Sequence, residues 1–259
     1  MDDEYCVKLS DDTGKLLLSY ALDIGAEMLV NGAEISRVED SISRICKAYG
    51  AKEINVFSIP YVILVTIYCE NEGYITQSRR IESFKYDLYK LEYLNSLSRN
   101  ICRIKPDIKS IKDDIKRINK LNGASFVRTF IGYGMISAAF TIFFGGSTAE
   151  AVSACIIGFM MHTYETVLKK LKMNKFLSSC VCAGAAGILA VLFVKFNIGE
   201  SAENISIGNI MVLIPGLMIT NSFRDLFSGN IISGFVRFTE SVLLSIAVAL
   251  GMSIGKLIL

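Results

Sequence analysis

The sequence predicts an α+β cytoplasmic domain, with helices plus a β-hairpin or small sheet, followed by an all-α membrane domain of about five transmembrane helices. Charged residues are 20% of the 259-residue chain and are concentrated before about Gly123. Beyond Gly123, apolar runs of roughly 17–25 residues recur, which is the length that crosses a bilayer core. A β-branched and aromatic stretch from Ile54 interrupts the helical periodicity of the first part. We therefore assign residues 1–122 to the cytoplasmic α+β domain and residues 123–259 to the transmembrane helical domain.

Composition excludes several classes of protein. A net charge of +2, with no Trp and no Arg-rich arm, gives no support to nucleic-acid binding. The N-terminal MDDEYCVKLSDD has neither the basic nor the apolar region of a signal peptide. Seven cysteines, scattered over both domains and beginning with Cys6, fit reduced thiols better than a disulfide framework. Cys180 and Cys182 lie in an apolar run without His or carboxylate neighbours, so we expect packing residues there, with no metal and no cofactor.

Two helices open the first domain. Gly32 supplies the stop between them, and Ser36 with Glu39 has the spacing of a capping box for the second helix. The apolar stripe of the first helix is Leu17, Tyr20, Ala21, Ile24 and Met28, and that of the second is Val38, Ile42, Ile45 and Tyr49. Around the second helix, Arg37, Glu39 and Asp40 suggest ion pairing on a helix surface. No nucleophile–base set is visible, so an enzyme is not expected.

A strand signal follows, and then two more helices. INVFSIPYVILVTIYC, the turn Asn71–Gly73 and YITQSRRI predict a hairpin, with Pro60 at a bulge or edge. A long amphipathic helix carries Leu88, Leu91, Leu94 and Leu97 and ends before Pro106. A Lys-rich helix then presents Ile108, Ile111, Ile115 and Ile118 on one face. This face either packs on the domain or lies on the anionic membrane surface.

The positive-inside rule gives the orientation of the membrane domain. Lysines between Lys169 and Lys175 follow the second span, whereas Glu200 and Glu203 follow the third. The N-terminal domain and the lysine loop are therefore expected in the cytoplasm of a multi-pass plasma-membrane protein, and the C-terminus outside. The predicted spans are Phe126–Phe144, Ala149–Leu168, Phe176–Phe196, Ile207–Phe223 and Ile231–Ile258.

Glycines and charges mark the interiors of these spans. Small-residue spacings predict close helix contacts or reflect the general glycine content of membrane helices; they involve Gly132, Gly134, Gly184, Gly187, Gly251 and Gly255. His162 and Glu165, at the end of the second span, are expected at the membrane interface, with a proton relay as the alternative.

The fourth span is interrupted at Pro215-Gly216, and polar side chains follow at Thr220, Asn221, Arg224 and Asp225. Arg237 and Glu240 are neighbours on one face of the fifth span. Buried charges in a membrane are costly, and they mark functional sites by default. The half-helix after the break would suit a substrate carboxylate, and Glu240 could carry a coupling proton. The alternative is a structural ion pair between Arg237 and Glu240 and an ordinary interfacial turn at Arg224-Asp225.

The chain also resembles the threonine/serine exporter family, in particular the long subunit of its split form. The matching segments run in family order from about Leu16 to Gly255; they are NGAEISRVEDSISRICKAYG, NVFSIPYVILVTI, SRRI with DLYKLEYLNSLSR, and LIPGLMITNSFRDLFSGNIISGFVRFTES. Two positions depart from the family pattern. Asn230 stands where Asp is common, so it offers no carboxylate for a proton, and Tyr61 stands where Thr usually follows the proline.

The resemblance implies a proton-gradient-driven exporter of small hydrophilic metabolites, either threonine and serine or succinate-type dicarboxylates. It implies an amino acid or dicarboxylate substrate, a lipid environment, and a short five-span partner subunit or a homo-oligomer. Residues that fall on its membrane motif are Pro215, Gly216, Arg224, Asp225, Gly229, Gly234, Arg237 and Glu240. Residues that fall on its N-terminal motif are Asn31, Gly32, Ala33, Glu34, Arg37, Glu39 and Asp40. A membrane-anchored sensor or assembly factor is the alternative function.

Overall fold

A computed structural model of the chain describes residues 13–70, 73–121, 123 and 125–258. Cα packing divides it into two compact units. The first unit combines the described residues of Met1–Gly123 with Leu217–Phe238. The second unit combines those of Ala124–Gly216 with Thr239–Leu259. Cys6 and the turn residues Asn71 and Glu72 lie outside the described residues. The α+β and helical classes predicted from the sequence are both confirmed.

Two helices, α1 (Thr13–Val30) and α2 (Ile35–Ala48), begin the first unit. Their predicted apolar stripes are buried, and Gly32 ends α1 with a left-handed φ of +98°. The capping box predicted at Ser36 is wrong. The N-cap position of α2 is Glu34, whose side chain makes no capping hydrogen bond, and Glu39 accepts a hydrogen bond from the backbone of Ser58 instead.

Three antiparallel strands form the sheet, in the order β1 (Lys52–Ile59), β2 (Val62–Cys69) and β3 (Gly73–Arg80). The run read as a single strand is therefore two strands. Ile59 pairs with Val62, so Pro60 lies in a two-residue hairpin turn, and the irregular register occurs earlier, between Lys52 and Asn55. Proline fits this turn because its fixed φ suits a turn and its missing N–H costs no ladder hydrogen bond.

Helices α3 (Leu88–Ile104) and α4 (Ile108–Asn119) complete the core of this unit. The isoleucines at 108, 111, 115 and 118 are all buried in one cluster with the apolar faces of α1 and α2. The isoleucine stripe of α4 thus packs on the domain and does not face the membrane surface. Leu88, predicted in the α3 stripe, is exposed because it lies in the first turn, before the helix meets the core.

The remaining helices contain the candidate membrane spans. They are α5 (Phe126–Phe143), α6 (Thr148–Lys170), α7 (Lys175–Lys195), α8 (Ala202–Leu213), α9 (Gly216–Phe227) and α10 (Ile231–Leu257). Among the described residues, α5, α6, α7 and α10 are long and apolar enough to cross a bilayer. The pair α8 and α9 is bent by 54° and counts as a fifth span if it crosses as one broken helix.

Glycines set the contact between α7 and α10. A Cβ built on Gly251 or Gly255 would collide with the backbone of Cys180 or Gly184 on α7. The close contact predicted at these glycines is confirmed, because only a hydrogen at Cα allows the backbones to approach so closely. Gly132 differs, since a Cβ there meets no heavy atom within 4 Å among the described residues.

Candidate functional site

The connection between α1 and α2 presents backbone groups in a fixed arrangement. Gly32 and Ala33 donate their backbone N–H groups to the carbonyls of Leu29 and Met28, at 3.2 and 3.0 Å. These bonds close the end of α1 as a Schellman motif. The Asn31 side chain is held by a 2.7 Å hydrogen bond to the carbonyl of Glu27. The carbonyl oxygens of Gly32 and Ala33 are left to accept bonds from elsewhere in the unit.

Helix α9 supplies the partners for this connection. Asn221 Nδ2 donates to the carbonyl of Gly32 at 2.9 Å, and Arg224 Nη1 lies 2.5 Å from Glu34 Oε1. Asp225 Oδ1 accepts a 3.1 Å hydrogen bond from the backbone N–H of Ile35. The Asp225 carboxylate therefore caps α2 from another part of the chain, at the end where the helix dipole favours negative charge.

Helix α10 adds a buried guanidinium to the same place. Arg237 Nη2 donates to the carbonyl of Ala33 at 3.1 Å, and Nη1 lies 3.2 Å from Asp225 Oδ2. The last two atoms are close enough for an ion pair but lack the angle for a hydrogen bond, and each has no hydrogen-bond partner among the described residues. Asp225 is 1% and Arg237 is 2% exposed. The pair is thus desolvated, and each charge depends on the other.

The turn between α9 and α10 brings the two charges together. Gly229, with a φ of +85°, ends α9. Gly234 lets α10 pack against Ser222 and Leu226, with no room for a side chain. Ser233 Oγ donates to the carbonyl of Ser58 at 3.3 Å, so α10 also contacts the β1 strand. We call the set of Gly32, Ala33, Glu34, Ile35, Asn221, Arg224, Asp225 and Arg237 the clasp site.

Glu39 lies beside the clasp site and accepts a 2.7 Å hydrogen bond from the backbone N–H of Ser58. Burial raises the pKa of this carboxyl, and the Ser58 hydrogen bonds offset part of that rise. The other two charges of the predicted surface cluster lie elsewhere. Arg37 and Asp40 are exposed, and Asp40 pairs with Arg44 at 2.8 Å.

The remaining predicted site residues are not in the clasp site. Pro215 and Gly216 form the junction between α8 and α9, and Thr220 is exposed on α9. Glu240 belongs to the second unit, where its charge interacts with that of Lys175 at the start of α7. Arg237 and Glu240 are three positions apart, yet the Arg237 guanidinium contacts Asp225 and the backbone of Ala33.

A second polar cluster, in the second unit, contains His162 and Glu165, for which the sequence predicted a membrane-interface position with a proton relay as the alternative. The Tyr133 hydroxyl on α5 donates a hydrogen bond to Glu165 Oε2 on α6, and Lys169 lies 2.8 Å from the other oxygen. His162 packs against the Tyr133 ring, with ring centroids 5.0 Å apart. The spacing of residues 162, 165 and 169 indicates that these three side chains share one helix face. Tyr133 lies on another helix, so only the packing of α5 on α6 identifies it.

Glu150 was not predicted from the sequence, and its role is structural. Its carboxylate accepts hydrogen bonds from the backbone N–H groups of Ser147 and Ser201 and from the Asn204 amide. Ser147 in turn caps Glu150 in a complete capping box. The Ser-x-x-Glu pattern at the start of α6 was the signal that could have identified it. No group of three His, Cys, Asp or Glu side chains in the described part of the chain could hold a metal ion.

An N-terminal α+β unit, four long apolar helices and a bent helix pair define a multi-pass membrane protein with a buried charge pair beside an interrupted helix. The chain belongs to the threonine/serine exporter family (ThrE), whose family profile matches residues 19–258. The resemblance noted in the sequence is thereby confirmed. The family is one of transporters.

The chain is also similar to a threonine/serine exporter of Corynebacterium glutamicum. The two are 21% identical over 248 residues, which are 92% of this chain and 50% of the relative. The chain thus spans about half the length of that relative. No solved structure matches the chain.

Proposed function

We propose that the chain is a subunit of a proton-gradient-driven secondary exporter of small hydrophilic metabolites, threonine and serine or succinate-type dicarboxylates. The observation that carries the proposal is the desolvated Asp225–Arg237 pair on the helices that follow the Pro215 interruption. Two buried charges that only anchored a domain would add cost without benefit, because apolar residues of similar volume often stabilise at least as well. A pair that must separate and re-form during transport gives a reason to retain them.

The helix interruption supplies the substrate path in this proposal. α8 and α9 have 12 residues each, and the chain between them leaves helical geometry at Ile214 and Pro215. Freed backbone groups at membrane depth are tolerated where protein or a water-filled cavity covers them. A Cβ built on Gly216 meets no heavy atom within 4 Å among the described residues, so a small carboxylate has room at the first turn of α9.

The clasp site would act as the gate. Its hydrogen bonds and ion pairs join the α1–α2 connection to α9 and to the first turns of α10. Separation of Asp225 from Ile35 and Arg237 would release α9 and the end of the interrupted helix with it. The N-terminal unit therefore controls the helix that carries the substrate path, and its position in the cytoplasm follows from the positive-inside rule.

Glu240 is the proposed proton carrier, and Lys175 is a charge that faces it. Lys175 follows the lysine-rich loop after α6, so the interaction supports a position for Glu240 near the cytoplasmic boundary of the bundle. A carboxylate there can exchange protons with cytoplasmic water and respond to a nearby cation. With the N-terminal unit inside, α10 runs outward and the C-terminus lies outside.

We further propose that a second five-span half completes the transporter, as a short partner subunit or a second copy. In each of the four long candidate spans, α5, α6, α7 and α10, only 17–39% of the apolar window is buried within the described chain, which leaves wide apolar faces for lipid or for such a half. An odd span count gives the two halves inverted orientations if they share one fold.

Efflux from cells that express the chain with its partner half tests the proposal. Cells are loaded with labelled threonine, serine or succinate, and efflux is followed with and without an imposed pH gradient.

Glu240→Gln should abolish gradient-driven efflux. Glu203→Gln, at an exposed position on α8, is the matched control and should leave efflux unchanged. Unchanged efflux in Glu240→Gln would remove Glu240 from the mechanism, and no efflux of any of the three compounds by the wild type would refute the exporter assignment.

A further inference from the structure

His162 is the single histidine of the chain, and its side chain is buried. Its side chain is 8% exposed, and neither ring nitrogen has a hydrogen-bond partner among the described residues. A buried imidazole normally donates from one nitrogen and accepts at the other, so two unsatisfied nitrogens on one ring require an explanation. Packing alone would be served equally well by an apolar ring.

Aromatic rings surround the imidazole. The ring centroids of Phe126, Tyr133 and Phe130 lie 4.7, 5.0 and 6.2 Å from that of His162. A cation within about 6 Å of an aromatic face is attracted to it, and the attraction strengthens where water is excluded. The rings around His162 can therefore offset part of the cost of burying an imidazolium ion.

A carboxylate is available to balance that charge. Glu165 lies three residues along α6, on the same helix face, and its charge interacts with His162. The Tyr133 hydroxyl holds one carboxylate oxygen of Glu165, and Lys169 holds the other at 2.8 Å. Glu165 is thus held by the Tyr133 hydroxyl and the exposed Lys169, and its charge also acts on His162.

Other charged groups face this cluster from the neighbouring helices. From α7, Lys175 interacts with Glu165 and Lys169, and Cys182 also faces these two charges. From α10, Glu240 interacts with Lys175. The only acidic or basic residue of α8 is Glu203, which lies beside the Glu150 network at the opposite end of α6. Lys169 and Lys175 therefore oppose a proton on His162, whereas Glu165 favours it.

We propose that His162 is a proton-binding site, with Glu165 as its counter-ion and Tyr133 as the residue that positions Glu165. A proton from water binds one ring nitrogen, Glu165 shifts its interaction from Lys169 to the imidazolium, and release of the proton reverses the change. Lys169 competes for Glu165 and so sets how readily the proton binds. The site rests on the proposed function for its role in coupling, but binding of the proton is a property of the chain alone.

Nuclear magnetic resonance of the full-length chain in lipid nanodiscs, labelled with [15N]histidine, tests the proposal directly. One histidine gives one set of imidazole signals, which should shift in a titration from about pH 8 down to about pH 5, where histidine side chains gain a proton. Glu165→Gln removes the counter-ion and should lower the midpoint pH, whereas Lys169→Gln removes its competitor and should raise it. Glu203→Gln is the control and should leave the midpoint in place.

Opposite shifts in the two variants would show that the charges of Glu165 and Lys169 both act on His162, as the proposal requires. Lys169 is an exposed side chain, so Lys169→Gln should fold even if Glu165→Gln does not. A His162 signal that does not titrate in this range, or a midpoint unchanged in both variants, would overturn the proposal. Neither result would bear on export, because the measurement uses no substrate and no partner. Loss of export with normal titration would instead place the fault in the proposed function.

Discussion

The backbone N–H of Ile35 donates a hydrogen bond to the carboxylate of Asp225, a residue 190 positions further along the chain. The bond gives α2 the N-terminal cap that its own sequence does not provide, since Glu34 makes no side-chain capping bond. The other carboxylate oxygen of Asp225 faces Arg237. The Asp225 side chain therefore accepts a hydrogen bond from the N-terminus of α2 and balances the charge of Arg237 on α10.

Asp225→Asn should destabilise the first unit severely. The amide oxygen can still accept from Ile35, but Arg237 is left as a buried charge without a counter-ion. Breaking a buried pair from one side costs about 3–5 kcal/mol. Thermal unfolding of the purified protein, or the rate of proteolysis between α9 and α10, measures this loss.

Glu34→Gln provides the matched control on the same surface. It removes the ion pair with Arg224, whose side chain is 60% exposed, and exposed pairs contribute about 0–1 kcal/mol. If Glu34→Gln lost as much stability as Asp225→Asn, the buried Asp225–Arg237 pair would contribute no more to stability than the exposed pair does. Replacement of both Asp225 and Arg237 by neutral residues should recover part of the lost stability.

The sequence predicted secondary-structure elements better than it predicted which side chains contact each other across the chain. Stripes such as Ile108 to Ile118 follow from helical spacing alone, and the Pro215 interruption follows from backbone chemistry. Pairing of Asp225 with Ile35 does not, because local signals carry no information on contacts 190 residues apart. For the same reason Arg237 was matched with its helix neighbour Glu240, although the guanidinium contacts Asp225.

Two errors have local causes. The capping box at Ser36 was misplaced because Asp225, from outside the helix, caps α2, whose N-cap is Glu34, two residues before Ser36. Pro60 was assigned to a bulge or an edge position because the apolar run continues on both sides of it. Its flanking residues pair directly across a two-residue turn, which apolar composition did not reveal.

Gly255→Val should disrupt the contact between α7 and α10. A Cβ at this position would overlap the backbone of Gly184, which has no side chain that could move aside. Overpacking costs about 1–3 kcal/mol where side chains can adjust, and a backbone clash should reach at least the upper part of that range. The expected results are a lower melting temperature and reduced accumulation in membranes.

Gly132→Val is the control for this substitution, because a Cβ there meets no heavy atom within 4 Å in the described part of the chain. It adds the same side chain to a membrane helix and should leave the melting temperature nearly unchanged. Equal losses in the two variants would mean that helix propensity, and not the contact with α7, explains the effect of Gly255→Val.

Cys46 should resist alkylation in the folded protein. The side chain is 0% exposed, and burial raises the pKa of its thiol to about 12. Since the thiolate is the nucleophile and fewer than about one Cys46 thiol in ten thousand is ionised at pH 7.5, alkylation should be slow. Mass spectrometry after treatment with N-ethylmaleimide should find Cys46 unmodified until denaturant is added. The partly exposed Cys102 should be modified earlier. Labelling of both at one rate would contradict the buried position.

Glu39 should make the first unit respond to pH in a predictable direction. Burial raises the pKa of its carboxyl above the usual value of 4.5, so the folded state binds a proton at a pH where the unfolded chain does not. The stability linked to that proton is fully present below the unfolded pKa and is lost as the pH rises through the raised folded pKa.

Glu39→Gln keeps an oxygen that accepts from Ser58 and removes the titration. Melting temperatures at pH 7 and pH 5 should show that wild type gains stability on acidification relative to Glu39→Gln. An equal response of the two proteins would mean that Glu39 ionises as readily in the folded chain as in the unfolded one, and its position beside Asp225 would then have no electrostatic consequence.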